Sequence, residues 1–327
     1  MTEKGRIADR SVAHDPCQFA NLNDSGPAGL DSPPRTLYLG DVDIEALRRL
    51  DAPLAWNYLR EARDEDIPLV WAALTIARDE YPELDVAAYE QEIARFAARA
   101  RTGQRSDADV VDSVRAVNRV LFDELGFQGN QNDYYDPRNS YLNEVVDRRL
   151  GIPISLAVLQ MELARHMGLP MRGVSFPGHF LVSLAVDGGL LVLDPYHRGR
   201  SIDAAELKQR AKPHLGDKPL RDDQLTELLT PASNRAILVR MLRNLKALYA
   251  EKDDYDRALR CTDRLLTLDA DQPTELRDRG LLYLKVGHLE AAREDLKRYV
   301  TENPEAEDID KARDALIQSS RDRRRLN

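Results

Sequence analysis

Tyr249 and Tyr283 stand 34 residues apart, and Ala258 and Ala292 repeat the interval. Within each unit the step from tyrosine to alanine is nine residues, and Leu242 and Leu276 keep the register. A period of this length marks a supersecondary unit that cannot bury its apolar face alone and must stack on a neighbour. Small residues at Ala258, Gly280 and Ala292 let two antiparallel helices approach closely, while Tyr249 and Tyr283 fill the groove between units. Residues 231–320 therefore read as an all-helical array. Two units are too few to fold well alone, so the array is expected to dock on what precedes it.

Upstream, "IPLVWAALTIARDEYP", "DVAAYEQEIARFAARARTG" and "DADVVDSVRAVNRVLFDELGF" place apolar residues at spacings of three and four. That period predicts amphipathic helices, with Asp85 and Asp107 as starts and Gly103 as a stop. Near residue 172 the period falls to two. "RGVSF", "HFLVSLAVD" and "LLVLD" read as strands, with Gly188 and Gly189 forming a hairpin turn rather than a phosphate cradle. Helices first and an antiparallel sheet after them argue an α+β core over 41–210. Residues 1–40, rich in Asp, Asn, Ser, Gly and Pro, are expected to be disordered. The polar stretch 211–230 reads as a linker, and 321–327 as a basic tail.

The charge balance excludes several function classes. Lys and Arg number 47 against 56 Asp and Glu, a net charge of -9, which gives no footprint for nucleic acid or an anionic membrane surface. No apolar run approaches the ~20 residues that span a bilayer, and the first thirty residues lack a signal-peptide layout. The two cysteines, Cys17 and Cys261, are too few for a disulfide framework or a cysteine-rich zinc site, and a cytoplasmic setting follows. His166 and His197 have no partner at metal-ligand spacing, and no nucleotide fingerprint occurs. No metal and no cofactor are expected.

One constellation carries chemistry. Ser155, in "GIPISLA", lies in the first turn of a predicted helix, where backbone donors and the positive end of the dipole gather. By itself such a serine is a helix cap. His179 opens one strand and Asp194 closes the next, so an antiparallel pairing brings them to one end of the sheet. Together the three suit a nucleophile, a base and an orienting acid. The loop "QGNQNDYYDPRNS" adds Asn132 and Asn139 as oxyanion donors or turn caps, and Tyr134 and Tyr135 as groove walls or loop anchors.

The 34-residue unit resembles the tetratricopeptide repeat, with Pro304 at its terminal proline and Lys246 and Ala270 departing from the pattern. The stretches "NDYYDPRNSYLNEVVDRRLGIPISL", "GLPMRGVSFPGHFLV" and "LDPY" resemble the SirB-type family over about 45–310. That resemblance implies a transglutaminase-like core of the papain-like fold joined to C-terminal repeats. It sets Ser155 where such cores carry a cysteine nucleophile, His179 at the base and Asp194 at the orienting acid. Two functions follow from it. One is a non-catalytic or weakly catalytic regulatory protein that binds a protein or peptide partner through the cleft or the repeats. The alternative is a serine-variant acyl-transfer enzyme acting on protein or peptide carbonyls.

Overall fold

The structure, a computed structural model, describes residues 43–102, 109–215 and 220–326, with side chains to residue 319. The segment 1–40, expected to be disordered, lies outside the described residues, as do Gly103 and Asp107. Among the described residues five α-helices come first: α1 Ile44–Arg48, α2 Ala52–Glu61, α3 Leu69–Arg78, α4 Val86–Thr102 and α5 Val110–Asn118, which runs on through a wider turn to Glu124. Aspartates set the starts of four of them, and α3 follows Pro68 without a side-chain cap. Asp43, Asp51, Asp85 and Asp109 each accept a backbone N–H from the first turn, so α5 begins behind Asp109. Residues Val70–Ala77 of α3 are all buried, which makes it a central helix rather than an amphipathic surface one.

The chain then forms β1 Gln128–Gly129, α6 Leu142–Arg148, β2 Leu150–Gly151 and α7 Pro153–His166. β1 and β2 make a short parallel pair that brings the polar loop beside the start of α7. After α7 come β3 Arg172–Val174, β4 Leu181–Val186, β5 Gly189–Asp194 and β6 Arg200–Ser201, an antiparallel meander in the order β3-β4-β5-β6. The β4–β5 turn is Asp187–Gly188, since Gly189 already pairs with Val186. Val182, Leu184, Leu191 and Leu193 face the main core, while Leu181 and Val192 face a second cluster on the opposite side. That alternation is the period-two pattern of a sheet covered on both faces.

The second face is covered by α8 Ala204–Leu215 and α9 Asp222–Leu228. Leu207, Ala211, Leu225 and Leu229 pack there, so 211–230 is largely helical and seated on the sheet, not a bare linker. Its charge content hid Ala211, Leu225 and Leu229.

The array follows as α10 Asn234–Glu251, α11 Tyr255–Leu268, α12 Pro273–Lys285, α13 Leu289–Glu302 and α14 Ile309–Leu326. Of the stretch read as a basic tail, the backbone of 321–326 continues α14. Ile237, Leu238, Met241, Leu242 and Leu245 of α10 belong to the same buried cluster as α2, α3 and α7. Tyr249 and Tyr141 share a hydrogen bond of 2.8 Å across this junction. Arg264 pairs with Asp79 at 2.8 Å, and Arg257 and Arg260 both reach Glu80. The array and the core thus share one interior.

Between helices the small residues set the spacing. Ala258 and Ala292 are fully buried, and a Cβ added at Gly280 would lie 2.8 Å from Leu296 Cγ. Tyr283 is half-buried, with the Arg279 guanidinium 5.9 Å above its ring. Lys246, which departs from the repeat pattern, reaches Glu275 and Asp278 on α12 at 2.5 and 2.6 Å.

Candidate functional site

Asp194 ends β5 and is completely buried. Its Oδ1 accepts from His179 Nε2 at 2.9 Å and from the backbone N–H groups of Tyr196 and His197. Its Oδ2 accepts from His197 Nδ1 and from the Arg210 guanidinium, each at 2.7 Å. Burial pushes the carboxyl pKa up, but the bonds from His179, Arg210 and His197 outweigh it and hold the group well below the usual carboxylate range. His179 reaches this end of the sheet through the Pro177–Gly178 turn. Gly178 has φ +68°, and a Cβ there would collide with the His214 ring, so the turn needs glycine.

His197 and Arg210 were not legible as site residues. His197 does have partners: its ring stacks on His179 at 6.3 Å, and one ligand atom each of His179, Asp194 and His197 lies within 4.8 Å of the others. Both carboxylate oxygens are engaged by imidazoles, and a guanidinium shares Oδ2, placing positive charge where a cation would sit. The cluster is built as a hydrogen-bond network.

Ser155 is not part of that network. It is fully buried at the third position of α7, where its Oγ accepts from Ile152 N at 3.1 Å. Its single proton serves Asn139 O at 2.7 Å, with Ile152 O 3.1 Å away. From the start of α7, the residues that line the cavity beside His179 are Ile152, Pro153 and Ile154. Two positions along a helix are about 200° round its axis, so a first turn that shows Pro153 to the cleft turns Ser155 away.

Asn139 is also fully buried, and its Nδ2 donates to the carbonyls of Asp133 and Tyr134 while its Oδ1 accepts from Asn130. Those bonds hold the loop in shape and leave no donor for an oxyanion. Asn132 is exposed in a neighbouring groove beside His197 and Arg198. Tyr134 and Tyr135, 40% and 62% exposed, stand at the mouth of the His179 cavity, stacked edge to face at 5.3 Å.

This cavity, of about 180 Å³, lies between the start of α7, the His179 turn and α10. Arg240 and Asn244 of α10 close its far wall, and Ala247, Leu248 and Glu251 extend it. No Ser, Thr or Cys is among its lining residues. The one cysteine among the described residues, Cys261, is buried on α11, where burial pushes its thiol up to about 12. A second cavity, of about 430 Å³, sits further along α7; its half-buried carboxylates Glu90 and Glu162 are already matched by Arg48 and Arg165.

Comparison with known proteins fits this layout. A family model described as transglutaminase-like superfamily matches residues 87–243, and one described as tetratricopeptide repeat matches 245–316. A UPF0162 protein of Xylella fastidiosa is 51% identical over 268 residues, covering 82% of this chain and 95% of the relative. A UPF0162 protein of Vibrio cholerae is 33% identical, covering 68% and 82%. The F-box only protein 21 of Homo sapiens is 30% identical over 184 residues, 53% of this chain and 28% of that protein. No solved structure matches. Among the described residues no helix is long and apolar enough to cross a membrane.

Proposed function

This chain belongs to the UPF0162 family, and we propose that it is a regulatory, protein-binding member with a transglutaminase-like core that has kept the cleft and not the chemistry. It holds a peptide segment of a partner protein between His179, the tyrosine pair and α10. The observation that carries this reading is the Ser155 hydroxyl, buried and bonded to Asn139 O, while Ile152, Pro153 and Ile154 line the cavity beside the imidazole. Acyl transfer needs a nucleophile within about 3 Å of its base, and the cleft offers no hydroxyl of serine or threonine and no thiol. Without one the His179–Asp194 pair serves to hold the cleft in shape.

A peptide groove suits the surroundings. The wall is mostly apolar with a few polar groups, which is the composition of a recognition site. The repeats form one side of it through α10, so both parts of the chain contribute to one surface. A cytoplasmic partner and kinship with the SirB-type proteins belong to the same proposal.

Selection of displayed peptides on the pure wild-type protein, counter-screened on Ala247→Trp, tests it. Ala247 is an exposed helical residue lining the cleft, so the indole fills the cavity without entering the core. Peptides that bind wild type and lose the variant support the reading. Peptides that bind both equally, or none at all, contradict it.

A further inference from the structure

Of the arginines on this side of α10, Arg240 has neither a carboxylate partner nor a set of three backbone carbonyls around its guanidinium among the described residues. Arg243 pairs with Glu275 at 2.7 Å, and the Arg235 guanidinium is taken up by the carbonyls of Leu59, Ala62 and Leu268. Arg240 has no carboxylate partner among the described residues. Its NH1 donates to Ser175 Oγ at 2.7 Å and its NH2 to His179 O at 3.1 Å, both neutral acceptors. A guanidinium carries five N–H donors, so most of its capacity stays open. The group is half-buried beside Phe180, with its carbon 6.0 Å from the ring centroid. Burial pushes its pKa down; the nearby Tyr134 opposes that shift, and no acid does.

A half-buried cation without a counter-ion is costly unless something supplies the negative charge. We infer that Arg240 is the anchor for a carboxylate carried by the bound peptide, received in the cavity between His179, Tyr134 and Asn244. This rests on the peptide-binding reading above and adds the chemistry of the anchor. The cavity's size limits the ligand: about 180 Å³ is below the ~300 Å³ at which small-molecule sites begin. One acidic side chain or one chain terminus fits, with the rest of the peptide lying along the tyrosines.

Glu251 lies eleven residues beyond Arg240 on α10, about 16 Å along the helix axis, and lines the other end of the cavity, where Lys252 Nζ donates to Tyr135 O at 3.1 Å. Opposite charges offset each other there, so the carboxylate is placed by the Arg240 end.

N-acetyl pentapeptide pools in three forms, randomised with Asp and Glu left out of the variable positions, test the inference. One has a fixed central glutamate and an amidated end, one a central glutamine and a free carboxyl end, and one a central glutamine and an amidated end. Binding is read from the Arg240 Nε–H and Ala247 amide signals in ¹H–¹⁵N spectra. At least one carboxylate pool is expected to bind about tenfold more tightly than the carboxylate-free pool, the stronger of the two naming side chain or terminus. Arg240→Gln, followed at Ala247, should erase the difference, and Arg240→Lys should keep part of it. Equal binding of the three pools at Ala247 overturns the carboxylate anchor and leaves the peptide cleft standing. A preference that survives in Arg240→Gln also overturns it, and no binding by any pool removes both.

Discussion

The Ser155 hydroxyl donates to the Asn139 backbone carbonyl at 2.7 Å, which ties the first turn of α7 to the loop that carries Tyr134 and Tyr135. Ser155 is thus a strut between a buried helix and the mouth of the cleft.

Ser155→Ala tests the strut. The substitution leaves the Ile152 N–H and the Asn139 carbonyl without their partner in a dry interior, at a cost of about 1–3 kcal/mol. Urea denaturation should show a lower midpoint with an unchanged slope. The companion Ser155→Cys should carry a thiol that a disulfide reagent reaches only after unfolding, because the position is fully buried.

Asp194 predicts a pH dependence. Its folded pKa lies below the unfolded value of about 3.9, so it contributes stability above that pH and loses it as the pH falls through the folded value. Stability of the wild type should drop in the acid range below pH 4 or so, and Asp194→Asn should flatten that limb. At neutral pH the variant should be less stable by about 3 kcal/mol, since Arg210 and the two imidazoles lose their shared charge. Urea titrations across the acid range compare the two proteins.

Gly280→Ala tests how tightly α12 and α13 pack. The added methyl would meet Leu296 Cγ at 2.8 Å, and Leu296 is fully buried. Overpacking of this kind costs about 1–3 kcal/mol, more than the roughly 1 kcal/mol that alanine gains in helix propensity. Thermal melts should show a net loss. Leu296→Ala in the same chain should give back part of it, a coupling that separate sites would not show.

Cys261 should stay silent. With its thiol pushed up to about 12 by burial, it should resist alkylation at neutral pH in a Cys17→Ser background until the repeats unfold. Fast labelling of the folded protein would mean that α11 opens far more readily than its packing against α2 implies.

Much of the fold was legible in the sequence because period is a local property. The fall from near four to near two at residue 172 and the 34-residue return of Tyr249 and Ala258 both survive in the structure. What escaped depended on tertiary partners. Two-residue β1 and β2 have no period to read, and α8 and α9 hide Leu207, Ala211, Leu225 and Leu229 in a charged stretch. In the site, the meeting of His179 and Asp194 follows from hairpin register, since Val182 faces Leu193, with Asp194 one residue past Leu193 and His179 three residues before Val182 in the preceding turn. The direction of Ser155 does not follow from spacing. Which side of α7 meets the cleft is decided by packing, and the two-residue offset from Pro153 turns the hydroxyl inward. Arg210 and Arg240 come to the site from α8 and α10, too far along the chain for any motif to join them to His179.

The most direct test is the dissociation constant of a peptide selected on the wild-type protein, measured by calorimetry for wild type, Ser155→Ala and Ala247→Trp. A non-covalent cleft predicts that Ser155→Ala still binds the peptide, with weakening of about tenfold or more in Ala247→Trp and recovery of intact peptide from every cell. Cleavage or acyl transfer of the peptide by wild type that Ser155→Ala abolishes would contradict the account.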